Sequence, residues 1–215
     1  MLVHILSKDF SVVSEFLHEL RDKNIQKDRS KFRKNIERIG QIAAYEISKK
    51  LENKIEFTQS PLGIAKVKTL KEQPIIATIL RAGLPLQKGM VDMFDQADLA
   101  YISAYRKHTN ESEIEIVLEY VASPDINDRT LIICDPMLAT GKSLVESYKA
   151  FTSKGKPKKT HLVSVIGSQQ GVDYVLKNIP EAELWIGVID ETLDKHGYIV
   201  PGLGDAGDLS FGEKL

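Results

Sequence analysis

Apolar and polar positions along this chain repeat with two periods, and the periods alternate in an ordered way. Residues 10–22 and 29–51 carry the helical one. In the second window Phe32, Ile36, Ile39, Ala43 and Ile47 recur at spacings of three and four, which predicts one buried helix face. Glu52–Gln59 and Ile64–Val67 read as short strands around the turn Ser60-Pro61-Leu62-Gly63. Pro74 introduces Ile75–Leu80, a continuous apolar run of the kind found in strands buried on both faces. A helix is predicted over 86–95 and a strand over Leu99–Ala104. Residues 106–113, RKHTNESE, read as polar and irregular, and Ile114–Val121 alternates apolar and charged positions as a hairpin arm would. Beyond them come a strand at Leu131–Cys134, a helix over 143–153, a strand at His161–Ile166, a helix over 168–178 and a strand at Glu183–Val188. The tail, HGYIVPGLGDAGDLSFG, is rich in glycine and has little periodicity.

From residue 74 to 188 strands alternate with helices, which predicts an α/β fold with a parallel sheet flanked by helices. No internal repeat or low-complexity linker divides residues 1–215, so a single domain is expected. Ligands of such sheets bind outside the carboxyl ends of the strands. Three loops fall there: Arg81-Ala82-Gly83, the segment from Arg106 onward, and Asp135 to Ser143.

The last of these, within LIICDPMLATGKS at 131–143, carries the most chemistry. An apolar strand ends at Asp135, a loop of small residues follows (Ala139, Thr140, Gly141), and Ser143 opens a helical pattern. A helix N-terminus offers unpaired N–H groups and the positive end of the helix dipole to an anion. The acid before the loop suggests a sugar hydroxyl beside that anion, so together they suggest a ribose phosphate. The triplet Gly141-Lys142-Ser143 resembles the end of a Walker A loop, but Pro136 stands where that loop needs its first glycine and supplies no N–H. A nucleotide triphosphatase is therefore not expected.

Bulk properties narrow the classes. A net charge of −1, from 29 basic and 30 acidic residues, argues against a general nucleic-acid binder. The basic stretch Lys27, Arg29, Lys31, Arg33, Lys34 leaves room for an RNA contact but reads more simply as a solvated face. The one cysteine, Cys134, lies in an apolar strand and reads as a small buried hydrophobe. No disulfide can form within the chain, no signal peptide is indicated, and no apolar run approaches the ~20 residues that span a bilayer. A cytoplasmic protein with no membrane contact is expected. The five histidines show no metal-ligand spacing, and none is assigned to a metal.

Two further features fit the phosphate loop. Arg81 follows a buried strand directly and presents a planar fork suited to phosphate oxygens, while Arg106 stands at the base of a polar segment and could close on an anion. In the tail, Gly197, Gly202, Gly204 and Gly207 permit close backbone approach, and Ile199, Val200, Pro201 and Leu203 argue for an ordered loop. A planar heterocycle with fixed donors and acceptors could be read by such a backbone.

With ILRAG at 79–83, AYR at 104–106, DPMLATGKS at 135–143 and GYIVPGLGDAGD at 197–208, the chain resembles the uracil phosphoribosyltransferases. The resemblance implies a type I phosphoribosyltransferase fold with a small hood and a β-hairpin arm, the N-terminal helices and residues 190–215 contributing to hood and base site. It implies that uracil and phosphoribosyl pyrophosphate (PRPP) are converted to UMP and pyrophosphate in pyrimidine salvage. Magnesium (Mg2+) would enter through PRPP, with no direct protein ligand. Carried over by position, Arg81 and Arg106 would hold the pyrophosphate. Asp135, Pro136, Met137, Leu138, Ala139, Thr140, Gly141, Lys142 and Ser143 would hold the ribose and 5′-phosphate. Ile199, Gly204, Asp205 and Ala206 would hold uracil, with Asp205 also facing PRPP; Asp205 and Arg106 are the residues placed closest to the chemistry. A homodimer or higher oligomer is expected, and GTP is a candidate effector. The chain departs from the family at Lys142, where a second glycine is usual. A phosphoribosyltransferase for another base, and a UMP- or PRPP-binding RNA regulator that keeps the fold, stand as the alternatives.

Overall fold

The computed structural model describes residues 2–110 and 113–214; of residues 104–110 and 113–118 it describes only the backbone. The chain opens with a strand, β1 (Leu2–Ile5), then helices α1 (Val12–Arg21) and α2 (Arg29–Ser48). Asp28 caps α2 by accepting the Lys31 N–H at 3.0 Å. Phe32, Ile36, Ile39, Ala43 and Ile47 are all buried along one face of α2, as their spacing predicts. Each of the larger four contributes roughly 2 kcal/mol of transfer free energy.

Next come the hairpin β2 (Asn53–Ser60) and β3 (Gly63–Leu70), then β4 (Ile75–Leu80), α3 (Leu84–Val91), β5 (Asp98–Asn110) and β6 (Glu113–Ala122). They are followed by β7 (Thr130–Cys134), β8 (Met137–Leu138), α4 (Lys142–Thr152), β9 (Lys159–Ser168), α5 (Gln169–Asn178) and β10 (Glu183–Asp190). The chain ends with β11 (Thr192–Leu193), β12 (Ile199–Val200) and α6 (Ala206–Phe211).

The main sheet runs β1-β10-β9-β7-β4-β5-β6, with β8 added against β9. Every pairing in it is parallel except β5 with β6. Strand alternation sends side chains to two cores. Ile76, Ile132, Cys134 and Val163 meet α1, α2 and α3 on one face; Ile75, Ala77, Leu131, Ile133 and Leu162 meet α4 and α5 on the other. Burial on both faces is why these strands read as unbroken apolar runs.

The structure corrects the sequence reading in several places. Residues 106–110 are not irregular: they continue β5 and pair antiparallel with β6, Arg106 opposite Ile116 and Lys107 opposite Glu115. Backbone pairing across the arm, rather than apolar content, makes that strand. The third helix starts two residues earlier and ends four earlier than 86–95, with Pro85 in its first turn, where a missing N–H costs nothing. The helix predicted over 29–51 stops at Ser48. The tail, expected as an ordered loop, also holds β12 and α6, and the unpredicted strand Leu2–Ile5 pairs with β10 at the sheet edge.

Candidate functional site

The sheet order turns at β4 and β7. The chain passes from β4 outward to β5 on one side, then returns to β7 on the other. The loops leaving these two neighbouring strands therefore diverge, and a crevice opens between them at the carboxyl edge.

The loop after β7 is shaped by contacts from outside itself. Asp135 Oδ1 accepts the Met137 N–H at 3.2 Å, tying the acid to the turn it begins. The Pro136 carbonyl accepts N–H groups from Val165 and Ile166, and β8 then pairs Met137 with Ile166 and Leu138 with Gly167. Ser168 donates its hydroxyl to the Ala139 carbonyl at 2.6 Å and accepts the Gly171 N–H at 2.9 Å, capping α5 with the same oxygen. Gly141 takes a left-handed conformation, φ 76°, and caps α4. The Val145 N–H closes the first intrahelical bond on the Gly141 carbonyl, so the N–H groups of residues 142–144 precede the ladder, as an anion site requires. Close backbone approach holds the floor: a Cβ added at Gly171 would lie 2.2 Å from the Ala139 carbonyl oxygen.

These contacts sort the residues assigned to the ribose phosphate. The side chains of Pro136, Leu138 and Ala139 are buried in the fold, and the Pro136 carbonyl is already taken, so these positions shape the loop more than they present side chains. Asp135, Met137, Thr140 and Ser143 are half-buried and, with Gly141, line a shallow hollow at the start of α4; Lys142 is exposed beside it. Lys142 is the first helical residue and does not take a positive φ, so it stands there without the strain that a left-handed residue would carry.

On the other side of the crevice, β4 ends in a cis peptide between Leu80 and Arg81. A Cβ at Gly83 would lie 2.1 Å from Thr78 Oγ1 and 2.9 Å from the Cys134 carbonyl, so this turn is packed against the end of β7. Arg81 donates from Nη2 to Asp208 Oδ1 at 3.0 Å and to the Gly212 carbonyl at 3.4 Å; its Nε is buried with no hydrogen-bond partner among the described residues. The tail thus reaches the β4 loop, across 127 residues of sequence between Arg81 and Asp208.

Within the tail, β11 and β12 form a small antiparallel pair, Leu193 opposite Ile199. Ile199 is buried, Gly204 is exposed with φ 96°, and Asp205 caps α6 by accepting the Gly207 and Asp208 N–H groups at 2.8 and 2.9 Å on one oxygen. Ala206 is buried beneath it. Arg33 of α2 fixes the end of α6 through the Ser210 carbonyl at 2.6 Å. Arg81, the end of β7 and the 205–208 segment are thereby brought together. Arg106 is placed on β5 by its backbone, and its side chain lies outside the described residues.

Sequence reasoning gave no role to Asp208, Ser168 or Gly171. Asp208 was visible inside the tail motif; Ser168 followed by Gly171 is a helix-capping pattern, but its hold on Ala139 depends on the fold. The larger surface hollow, about 330 Å³, lies at the other end of the sheet between Tyr148, Lys156 and Lys159. Its cations are engaged in part, Lys158 with Glu52 and Lys159 with Glu183. The basic stretch at 27–34 is also largely spent inside the chain: Lys31 pairs with Glu19, Lys34 with Glu37, and Arg33 holds the tail.

A crevice at the switch point of a parallel sheet, opening on a helix N-terminus, is the arrangement of α/β proteins that bind phosphorylated small molecules. Within that class, the chain belongs to the uracil phosphoribosyltransferase family, whose model matches residues 8–213. It is 50% identical over 211 residues to the uracil phosphoribosyltransferase of Porphyromonas gingivalis, covering 98% of each chain. It is 35% identical over 211 residues to that of Thermococcus gammatolerans, covering 97% of this chain and 92% of the other. Among solved structures it is similar to the AQ2163 protein of Aquifex aeolicus, with a TM-score of 0.87, 27% identity and 98% of both chains covered.

Proposed function

We propose that this protein transfers the phosphoribosyl group of PRPP to N1 of uracil, giving UMP and pyrophosphate. The observation that carries the reading is the contact between the tail motif and the arginine of the β4 loop, beside a phosphate loop shaped by β9 and α5. It supports a site in which base, pyrophosphate and 5′-phosphate are held at once.

The assigned parts divide the work. The N–H groups opening α4 take the 5′-phosphate, and the Asp135 carboxylate accepts from ribose hydroxyls. Arg81, with donors still unused, takes pyrophosphate oxygens, and Arg106 approaches the same group from β5. Positive charge develops on the ribose as the bond to pyrophosphate breaks, so rigid placement of uracil in line contributes most. The backbone at Ile199 and Gly204 to Ala206 presents donors and acceptors to the uracil edge. The Asp205 carboxylate, held by its own helix cap, faces both substrates. Magnesium is proposed to enter with PRPP, because Mg2+ favours substrate phosphates with retained waters. When bound it would neutralise the departing pyrophosphate.

A homodimer is the proposed assembly, and the hairpin β2–β3 supports it. Phe57, Leu62 and Ile64 are exposed on a two-stranded ribbon, and such a ribbon is marginal in water unless it packs on something; a second copy is the proposed partner. No described helix is long and apolar enough to cross a membrane, and a cytoplasmic location is proposed on the chemistry of salvage. GTP as an effector rests on the family resemblance and is read by assaying with and without it.

The test is nucleotide formation from PRPP and magnesium with uracil, cytosine or hypoxanthine as the base. UMP alone should form. Product with another base and none with uracil makes it a transferase of different specificity. Arg106→Ala should lower UMP formation roughly 30- to 1000-fold; turnover near that of the unaltered protein removes Arg106 from the site.

A further inference from the structure

The loop that carries the base-reading residues is held by a pair that no motif contains. Asp190 is the last residue of β10 and is buried. Arg21, the last residue of α1, meets it with two nitrogens: Nη2 donates to Asp190 Oδ1 at 2.7 Å and Nη1 to Oδ2 at 2.9 Å. Both partners then reach Gly202. The Gly202 N–H donates to Asp190 Oδ2 at 2.9 Å, and its carbonyl accepts from Arg21 Nη1 at 3.2 Å. Gly202 is therefore fixed by both of its backbone polar groups. It has φ 59°, and a Cβ there would lie 2.0 Å from the Ile199 carbonyl oxygen, so the turn from Ile199 to Gly202 admits only glycine at this position. Two and three residues further on are Gly204 and Asp205.

Register adds a second observation. Asp190 lies opposite Ser168 across β10 and β9. Ser168 holds the phosphate loop through Ala139, and Asp190 holds the base loop through Gly202. Neighbouring strand ends thus anchor the two halves of the crevice from one rigid floor. A bidentate arginine–carboxylate pair is the geometry best suited to transmit such a constraint, because it fixes orientation as well as distance.

We infer that Arg21 and Asp190 are positioning residues for the base: they set where the 199–206 backbone meets uracil, and they touch neither substrate. The inference rests on the proposed transferase reading. Asp190→Asn keeps an acceptor for Gly202 but loses the ion pair; Arg21→Lys keeps the charge but loses the fork. Steady-state constants for uracil and for PRPP, with calorimetric titration of PRPP, separate positioning from general damage. Both variants should raise the KM for uracil about tenfold or more, the effect of losing a hydrogen bond to a charged group, and leave the PRPP constants within about twofold. An unchanged KM for uracil, or KM values for both substrates rising together, overturns the inference. If one variant does not fold, the other decides; if neither folds, the pair is a structural brace and the inference fails. Unaltered protein that makes no UMP overturns the transferase reading instead, so the two failures are distinct.

Discussion

Arg81 Nη2 lies 3.0 Å from Asp208 Oδ1, joining the turn after β4 to the first turn of α6. Both side chains remain about a third exposed. A pair that open to solvent contributes under about 1 kcal/mol to stability. Its consequence is geometric: it keeps the tail against the edge where the pyrophosphate would leave.

Replacing that arginine should therefore separate stability from activity. Arg81→Ala is expected to shift the unfolding midpoint by only a few degrees while lowering UMP formation roughly 30- to 1000-fold. Arg81→Lys should recover little, because an ammonium cannot reproduce the planar fork. A large loss of stability with kcat/KM preserved would show that the residue is a brace.

Gly171 offers a test of the phosphate loop from beneath. The Cβ of Gly171→Ala would lie 2.2 Å from the Ala139 carbonyl oxygen and 2.8 Å from that of Leu138, both backbone atoms. The loop must lift, at a cost of about 1–3 kcal/mol in stability. PRPP affinity measured by calorimetry should fall by about tenfold or more, since displacing the loop by a fraction of an ångström misaligns several contacts. Unchanged affinity in a destabilised protein would mean that the loop does not hold PRPP.

Acid should weaken the fold through His161. Trp185 Nε1–H donates to His161 Nδ1 at 3.1 Å, which requires that nitrogen to be unprotonated. Burial, aided by the nearby Lys159 charge, pushes the His161 pKa down to about 4. An unfolded histidine titrates near 6.5, so the unfolded chain binds the extra proton first as pH falls. The resulting stability is complete above about pH 6.5 and is lost progressively toward about pH 4, by roughly 3 kcal/mol from this group. Denaturant unfolding across that range should show the slope, and His161→Gln, which keeps an acceptor for Trp185, should flatten it. An equal slope in both proteins would assign the acid sensitivity elsewhere.

Cys134 should be silent until the protein unfolds. It is fully buried in β7, and burial raises its thiol pKa far above neutrality, with the adjacent Asp135 adding to the effect. The thiolate is the reactive form, so a disulfide reagent should label no thiol in folded protein and one per chain in denaturant. Stoichiometric labelling of active protein would contradict the packing of this strand.

Much of the architecture was legible because its strands are buried on both faces and its helices on one. Ile75–Leu80 announced itself as an unbroken apolar run, and α2 by five apolar residues at helical spacing. The carboxyl-edge loops followed from that alternation. What stayed hidden has physical reasons. β1 and β8 are too short to display a period, and they exist because β10 and β9 present open edges. The extension of β5 through polar residues to Asn110 depends on its partner β6. α6 is one and a half turns long, and its only local sign is Asp205 placed to cap it. Arg21 and Asp190 stand 169 residues apart, so no spacing could have joined them.

Calorimetric titration of the folded protein with PRPP and magnesium, without uracil, tests the central claim most directly. The account predicts saturable heat at about one equivalent per chain, weakened about tenfold or more in Arg81→Ala. A well-folded protein that gives no heat with PRPP would contradict it.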